Sequence, residues 1–286
     1  MKNIFKDYIN WFIENGLNED IGAGDHTSNA CIPRTSISSA NLIVKDNGII
    51  AGVELAQLIF KHLSSEINIE VFKKDGDIVH YGDIVFKVSC DTRTILKAER
   101  LILNVMQRLS GIATVSSEFA FEVHGLPVKI LDTRKTTPLL RPLEKWAVKI
   151  GGCHNYRDGL FDWIMIKDNH IDAGGGIKKT INKVHKYLKE NNLDLGITIE
   201  VRNLVELHEV LKAGGVTRIM FDNFEPALLR EAVQTVNGKY ETEASGGVTL
   251  QSVRAIAETG VDYISAGAIT HSAGILDLSL KIEKRT

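Results

Sequence analysis

One short pattern recurs six times in the second half of the chain, and it limits the possible fold more than any other feature. The apolar runs VKIL (128–131), WIMI (163–166), GITI (196–199), RIMF (218–221), YETEA (240–244) and DYIS (262–265) are separated by amphipathic stretches. A short buried strand alternating with a helix-length segment implies a parallel sheet, and six such units point to an α/β barrel. Each run ends in charged, polar or glycine residues. In order these are Asp132-Thr133-Arg134-Lys135, Lys167-Asp168-Asn169-His170, Glu200-Val201-Arg202, Asp222-Asn223, Ser245-Gly246-Gly247 and Ala266-Gly267-Ala268. Barrels of this kind keep their reactive groups at the carboxyl ends of the strands. The arrangement is that of an enzyme.

A chain of 286 residues has room for a small barrel and one added domain. In the first half, residues 3–15 place Ile4, Tyr8, Trp11 and Phe12 near one helical face, and LNEDIGAGDHTSNACIP reads as an ordered loop. Residues 39–90 read as a small β-rich unit. SANLIVKD, INIEVFKK and DIVFKVS alternate in polarity, turns fall at Asp46-Asn47-Gly48, Asp75-Gly76-Asp77 and Tyr81-Gly82-Asp83, and a helical VELAQLIFKHL interrupts them. A long helical pattern begins at the N-cap candidate Thr92, runs to about Leu109 and breaks at Ser110-Gly111. Arg100, Asn104, Gln107 and Gly111 line one stripe of it, which pattern alone leaves open between a solvated face and a functional one. No flexible linker separates the halves, so two packed domains are expected.

Composition narrows the class. A net charge of −2 supplies no basic field for nucleic acid, and no apolar run reaches the 18 residues a membrane helix needs. The amino terminus mixes acidic residues with its apolar ones, unlike a signal peptide. Cys31, Cys90 and Cys153 are widely spaced, with no CxxC. They read as reduced thiols in the cytoplasm rather than disulfides or a zinc site. No nucleophile elbow, HExxH or Walker A loop occurs.

Between Arg134 and Lys167 lie seven basic residues against three acidic ones. Arg141, Lys145 and Lys149 recur at helical spacing and read as a solvated face. Arg134, Lys135 and Lys167 sit at strand ends, where side chains converge, and cations gathered there call for a ligand with more than one negative charge. Glu200 and Asp222 end neighbouring runs. They are either counter-ions, holders of Mg²⁺ on a phosphate-rich substrate, or carboxylates facing a developing positive charge. Ser245-Gly246-Gly247 and Gly267-Ala268 read as turns that expose backbone N–H groups at helix amino termini, a setting for phosphate. His170 and His271 also lie near strand ends, and neither is assigned proton transfer.

The chain resembles the quinolinate phosphoribosyltransferase family, also called nicotinate-nucleotide pyrophosphorylase (carboxylating), of de novo NAD synthesis. The similarity runs from the LNEDIGAGDHTS loop through ERLILNVMQRLSGIAT (99–114), DTRKTTPLLRPLEKWAVKIGG (132–152) and IKDNHID (166–172) to IEVRN, FDNF, EASGGV and GAITHS. The resemblance implies an amino-terminal α/β sandwich over residues 1–110, joined by residues 276–286, and an incomplete α/β barrel over residues 111–275. It also implies a homodimer, or a higher assembly of dimers, with shared active sites into which Arg100 reaches from the neighbouring subunit. Arg134, Lys135, Tyr156, Arg157 and Lys167 are then expected around quinolinate and the phosphates of phosphoribosyl pyrophosphate, with Lys135, Glu200 and Asp222 as the catalytic set. Glu200 and Asp222 face the ribose and its Mg²⁺, no organic cofactor is called for, and Ser245, Gly246, Gly247, Gly267, Ala268 and His271 line the 5′-phosphate site.

Two positions depart from the family pattern: Tyr156 where histidine is usual, and Leu139 where glycine is usual. Tyrosine still donates a hydrogen bond to a carboxylate or phosphate but supplies no cation. Two other readings fit the same residues. One is a paralogue of altered substrate, of the molybdenum-transport-associated type; the other is a non-catalytic barrel that binds a phosphate ligand. Turnover of quinolinate separates both from the enzyme.

Overall fold

In the computed structural model residues 3–283 are described; the side chains of residues 3–5, Ile4 among them, and the tail residues 284–286 lie outside the described residues. The strands, in chain order, are β1 (Ile37–Val44), β2 (Gly48–Ile49), β3 (Asn68–Val71), β4 (Ile78–Val79), β5 (Ile84–Asp91), β6 (Lys129–Leu131), β7 (Ile164–Ile166), β8 (Ile197–Val201), β9 (Arg218–Asp222), β10 (Glu241–Ser245), β11 (Tyr263–Ser265) and β12 (Leu278–Ile282). The chain divides into two compact units. One comprises Met1–Val115, Pro142–Gly151 and Ala273–Thr286; the other comprises Ser116–Arg141 and Gly152–Ser272.

The first unit is built on an antiparallel sheet of order β12–β1–β5–β3. Alternation along β1 buries Ala40, Leu42 and Val44, and the helix Val53–Leu63 lays Phe60 edge-on against Phe86 of β5. That helix starts where the Asp75 carboxylate accepts the Val53 and Glu54 N–H groups at 2.8 and 3.1 Å. The first helix is longer than its apolar pattern, running over Asn3–Ile21. The stretch expected as a loop contains the short helix His26–Cys31, capped by Asp25, whose carboxylate accepts from Ser28 N–H at 2.9 Å.

The expected break at Ser110-Gly111 is absent: one helix spans Thr92–Glu122. Both residues serve packing instead. Ser110 is fully buried and its hydroxyl accepts the Ala51 N–H at 2.9 Å, while a Cβ on Gly111 would lie 2.1 Å from the Gly274 carbonyl oxygen. Glycine here permits a close backbone approach rather than ending a helix.

The solvated-face reading of Arg141, Lys145 and Lys149 also needs correcting. In the helix Arg141–Ile150, Lys145 is only 2% exposed and Glu144 is fully buried, while Lys149 is exposed. Arg108 of the long helix donates from Nε and Nη2 to Glu144 Oε1, both at 3.0 Å. This part-buried pair lies within the first unit and holds the segment Pro142–Gly151 there, although the sequence reading placed it within 111–275.

In the second unit all six apolar runs form strands, in one parallel sheet of order β6–β11–β10–β9–β8–β7. The first strand therefore pairs with the last, Lys129 with Tyr263 and Leu131 with Ser265. That is the pairing that closes a barrel, and the opening lies between β6 and β7. A single bridge, Leu131 to His154, partly spans it. The architecture is an incomplete α/β barrel. Along β8 and β9, Ile199, Val201, Ile219 and Phe221 are fully buried on one face. The alternate residues Thr198, Glu200, Arg218, Met220 and Asp222 lie on the other, toward the barrel interior.

Candidate active site

At the carboxyl ends of these strands lies a cavity of about 780 Å³. Arg134 and Lys135 enter it from the end of β6, Lys167 from β7, Glu200 from β8 and Asp222 from β9; Tyr156 and Arg157 come from the segment that follows the His154 bridge. Ser245, Gly246 and Gly247 line it after β10, and Gly267, Ala268 and His271 after β11. Arg100 is not among the lining residues; it is exposed on the helix Thr92–Glu122.

Local bonding explains how the loops hold these groups. The fully buried Asp132 accepts the Tyr156 N–H at 2.9 Å, so the end of β6 orients the Tyr156–Arg157 segment. Lys135 donates its N–H to Thr133 Oγ1 at 3.1 Å, and its carbonyl accepts the Thr270 hydroxyl at 2.8 Å. Gly267 gives room here, since a Cβ would approach Lys135 Cδ to 3.2 Å and the His271 ring to 3.0 Å. His170 supports the backbone: its Nδ1 accepts the Lys167 N–H at 3.0 Å.

The charges divide into satisfied and available ones. Lys167 Nζ donates to Glu200 Oε2 at 3.0 Å, and Glu200 is 8% exposed. Arg157 donates to the Trp163 carbonyl at 3.3 Å and to Met165 Sδ at 3.5 Å. Burial, and next the nearby Arg134 guanidinium, lower the Arg157 pKa. The Arg134 guanidinium, the Lys135 ammonium and the Asp222 carboxylate form no hydrogen bond or ion pair among the described residues. Guanidinium groups crowded in one cavity, with an ammonium left unneutralised, favour an anionic ligand.

The glycine turns differ from expectation in detail. The helix after β10 is Leu250–Ala257, capped by Thr249, so Ser245-Gly246-Gly247 precede it as a loop and do not form its amino terminus. Gly246 and Gly247 have φ of 97° and 57°, and a Cβ on Gly246 would fall 2.2 Å from Asn223 Oδ1. Only glycine brings that backbone against Asn223. Leu139, in the loop after Lys135, has φ of 66° and is exposed. This is the left-handed region, which glycine adopts more readily than leucine.

Under the cavity lies a polar layer that sequence reasoning missed. Arg218, 6% exposed, donates to Glu241 at 2.9 Å and to the fully buried Glu243 at 3.0 Å. Its guanidinium carbon is 3.7 Å from the Tyr263 ring centroid. The Ser265 hydroxyl donates to Glu243. Burial pushes the Glu243 carboxyl up against the opposing pull of Ser265 and Arg218. The available signal was the period-2 polarity of ETEAS, facing a lone arginine at the start of RIMFD.

A profile of the quinolinate phosphoribosyl transferase C-terminal domain matches residues 112–281, and that of the N-terminal domain matches residues 25–110. The chain belongs to the quinolinate phosphoribosyltransferase family. It is 48% identical to quinolinate phosphoribosyltransferase [decarboxylating] 1b of Nicotiana tabacum, over 95% of this chain and 81% of that protein. It is 47% identical to the chloroplastic nicotinate-nucleotide pyrophosphorylase [carboxylating] of Arabidopsis thaliana, over 95% and 82% of the two chains. Among solved structures, the nicotinate-nucleotide pyrophosphorylase of Francisella tularensis superposes with a TM-score of 0.90 at 37% identity, covering 97% of this chain and 96% of that one. Family membership thus agrees with the fold, an open parallel barrel and a separate antiparallel sheet.

Proposed function

We propose that the chain transfers the phosphoribosyl group of phosphoribosyl pyrophosphate to the ring nitrogen of quinolinate, releasing pyrophosphate and CO₂ and forming nicotinate mononucleotide. One observation carries the reading: Arg134, Lys135, Arg157 and Lys167 converge on a cavity that Glu200 and Asp222 also line. A dicarboxylate entering that cavity exchanges water for charged donors, which offsets its desolvation. As pyrophosphate departs, the anomeric carbon becomes cationic, and a nearby carboxylate stabilises that state more than the ground state. Asp222, whose carboxylate has no partner among the described residues, is the group available for this; Glu200 is held by Lys167. The ring nitrogen attacks the anomeric carbon, the 2-carboxylate departs as CO₂, and the electron pair left at C2, stabilised by the adjacent pyridinium nitrogen, takes up a proton from water to give the product. No protein nucleophile takes part.

No group of three or more metal-ligating side chains occurs among the described residues. Two carboxylates alone fit a Mg²⁺ that retains water and substrate phosphate oxygens. In this reading Glu200 and Asp222 would hold the ion brought in with phosphoribosyl pyrophosphate, and it would neutralise charge on the leaving pyrophosphate. A cytoplasmic setting belongs to the same proposal, supported by Cys31, Cys90 and Cys153, all free; no helix among the described residues is long and apolar enough to cross a membrane. The test is release of labelled CO₂ from carboxyl-labelled quinolinate, with and without phosphoribosyl pyrophosphate. Release only with both substrates supports the transfer, and none under any condition overturns it in favour of a paralogue or a binding protein.

The proposed assembly is a homodimer in which Arg100 of one subunit completes the cavity of the other, supported by the exposure of Arg100 outside the barrel unit. Arg100→Ala and Lys135→Ala homodimers are each expected to be nearly inactive. In a mixed dimer one site carries both defects and the other carries neither. Subunit exchange should restore up to about half the activity per mixed dimer, because one of two symmetric sites is whole. No recovery despite demonstrated exchange would remove Arg100 from a shared site.

A further inference from the structure

Thr198 is fully buried, does not line the cavity, and stands two residues before Glu200 on β8, one layer deeper in the barrel. Its hydroxyl oxygen accepts the Trp163 indole N–H at 2.9 Å and lies 2.6 Å from the Tyr156 hydroxyl. Either hydroxyl can be the donor in that bond, and Glu243, which accepts from Arg218 and Ser265, lies near the Tyr156 hydroxyl in the same layer. The polar end of Tyr156 is thus committed below the cavity, and the side chain offers the ligand its ring.

Thr198 reaches Arg157 as well. The Trp163 indole that it holds belongs to the residue whose carbonyl accepts from the Arg157 guanidinium at 3.3 Å. Gly196, at the foot of β8, lets that indole lie against the strand, because a Cβ there would come within 2.2 Å of the ring. One hydroxyl therefore braces both neighbours in the Tyr156–Arg157 wall, one directly and one through Trp163.

We propose that Thr198 is a positioning residue for the dicarboxylate-binding wall, and that Tyr156 contributes to binding through its place in this chain of hydrogen bonds and not through a polar contact with the substrate. The proposal rests on the reading of the cavity as the quinolinate site. Thr198→Val keeps the shape of the side chain and removes the hydroxyl; Thr198→Ser keeps the hydroxyl. The Thr198→Val enzyme is expected to raise KM for quinolinate about 3- to 10-fold, the scale of one hydrogen bond. KM for phosphoribosyl pyrophosphate should stay within about twofold, and Thr198→Ser should lie near wild type on the same scale. Tyr156→Phe should reproduce the Thr198→Val effect, and the double variant should be no worse than either single one, since both break the same chain. Additive losses, with Tyr156→Phe far worse than Thr198→Val, would show direct contact between the Tyr156 hydroxyl and the substrate and overturn the proposal. So would an unchanged KM for quinolinate in Thr198→Val, or a loss that Thr198→Ser fails to recover. Wild-type protein is assayed first: absence of quinolinate turnover there overturns the functional reading, whereas normal wild-type turnover with an indifferent Thr198→Val overturns only the positioning role.

Discussion

Replacing Arg157 by alanine is expected to weaken quinolinate binding by roughly 30- to 4000-fold, because truncating one partner of a desolvated, hydrogen-bonded charge pair costs about 2–5 kcal/mol. Lys135→Ala should also bind quinolinate poorly, toward the lower end of that range, since Lys135 is exposed whereas Arg157 is half-buried and fixed by Trp163 and Met165. Titration calorimetry with quinolinate reads the effect, and circular dichroism checks the fold. Affinity for phosphoribosyl pyrophosphate serves as the control for Arg157→Ala. Wild-type quinolinate affinity in both variants, with folding intact, would remove the cationic wall from the binding site.

A second large effect is expected on stability rather than affinity. Arg218→Ala leaves the fully buried Glu243 without its cation, and removing one partner of a buried ion pair typically costs about 3–5 kcal/mol. Removing the guanidinium from between Glu241, Glu243 and the Tyr263 ring also leaves a void in the barrel interior. The double variant Arg218→Met/Glu243→Gln removes both charges and should regain much of the loss, because an uncompensated carboxylate is the costly species. Urea unfolding followed by tryptophan fluorescence measures both. An Arg218→Ala midpoint equal to wild type would mean that water or a protonated Glu243 satisfies the site without the arginine.

The strands were legible because each apolar run is short, is flanked by helix-length polar segments, and repeats. The site was legible for the same reason, since whatever follows a barrel strand projects into the mouth. Arg134, Lys135, Lys167, Glu200 and Asp222 could be picked from position alone, and they do line one cavity. Interior contacts were the illegible part. Nothing local distinguishes a lysine on a solvated helix face from Lys145, which is 2% exposed. Ser110-Gly111 has the composition of a break, yet the buried hydroxyl bond to Ala51 and the close pass of Gly274 are long-range facts. Tyr156 is the instructive case. Its residue type indicated a donor for the ligand, and only tertiary structure shows Thr198 hydrogen-bonded to that hydroxyl. Family resemblance identified the position as part of the site but could not describe the consequence of tyrosine there.

The two larger sheets are each completed by a strand far along the chain from its partner. Lys129 of β6 finds its partner only in Tyr263, and Ala40 of β1 pairs with Ile282 of β12. During synthesis, therefore, β6 waits with one edge unpaired until β11 has left the ribosome, and β1 waits longer still. Such wide sequence separation raises contact order, which slows the search for the native pairing and prolongs the exposure of open strand edges. The chain cannot secure either unit as it emerges. Truncation by a few tens of residues at the carboxyl terminus, remote in sequence from Arg134 and Lys135, should leave both units incomplete and direct the product toward aggregation rather than partial activity.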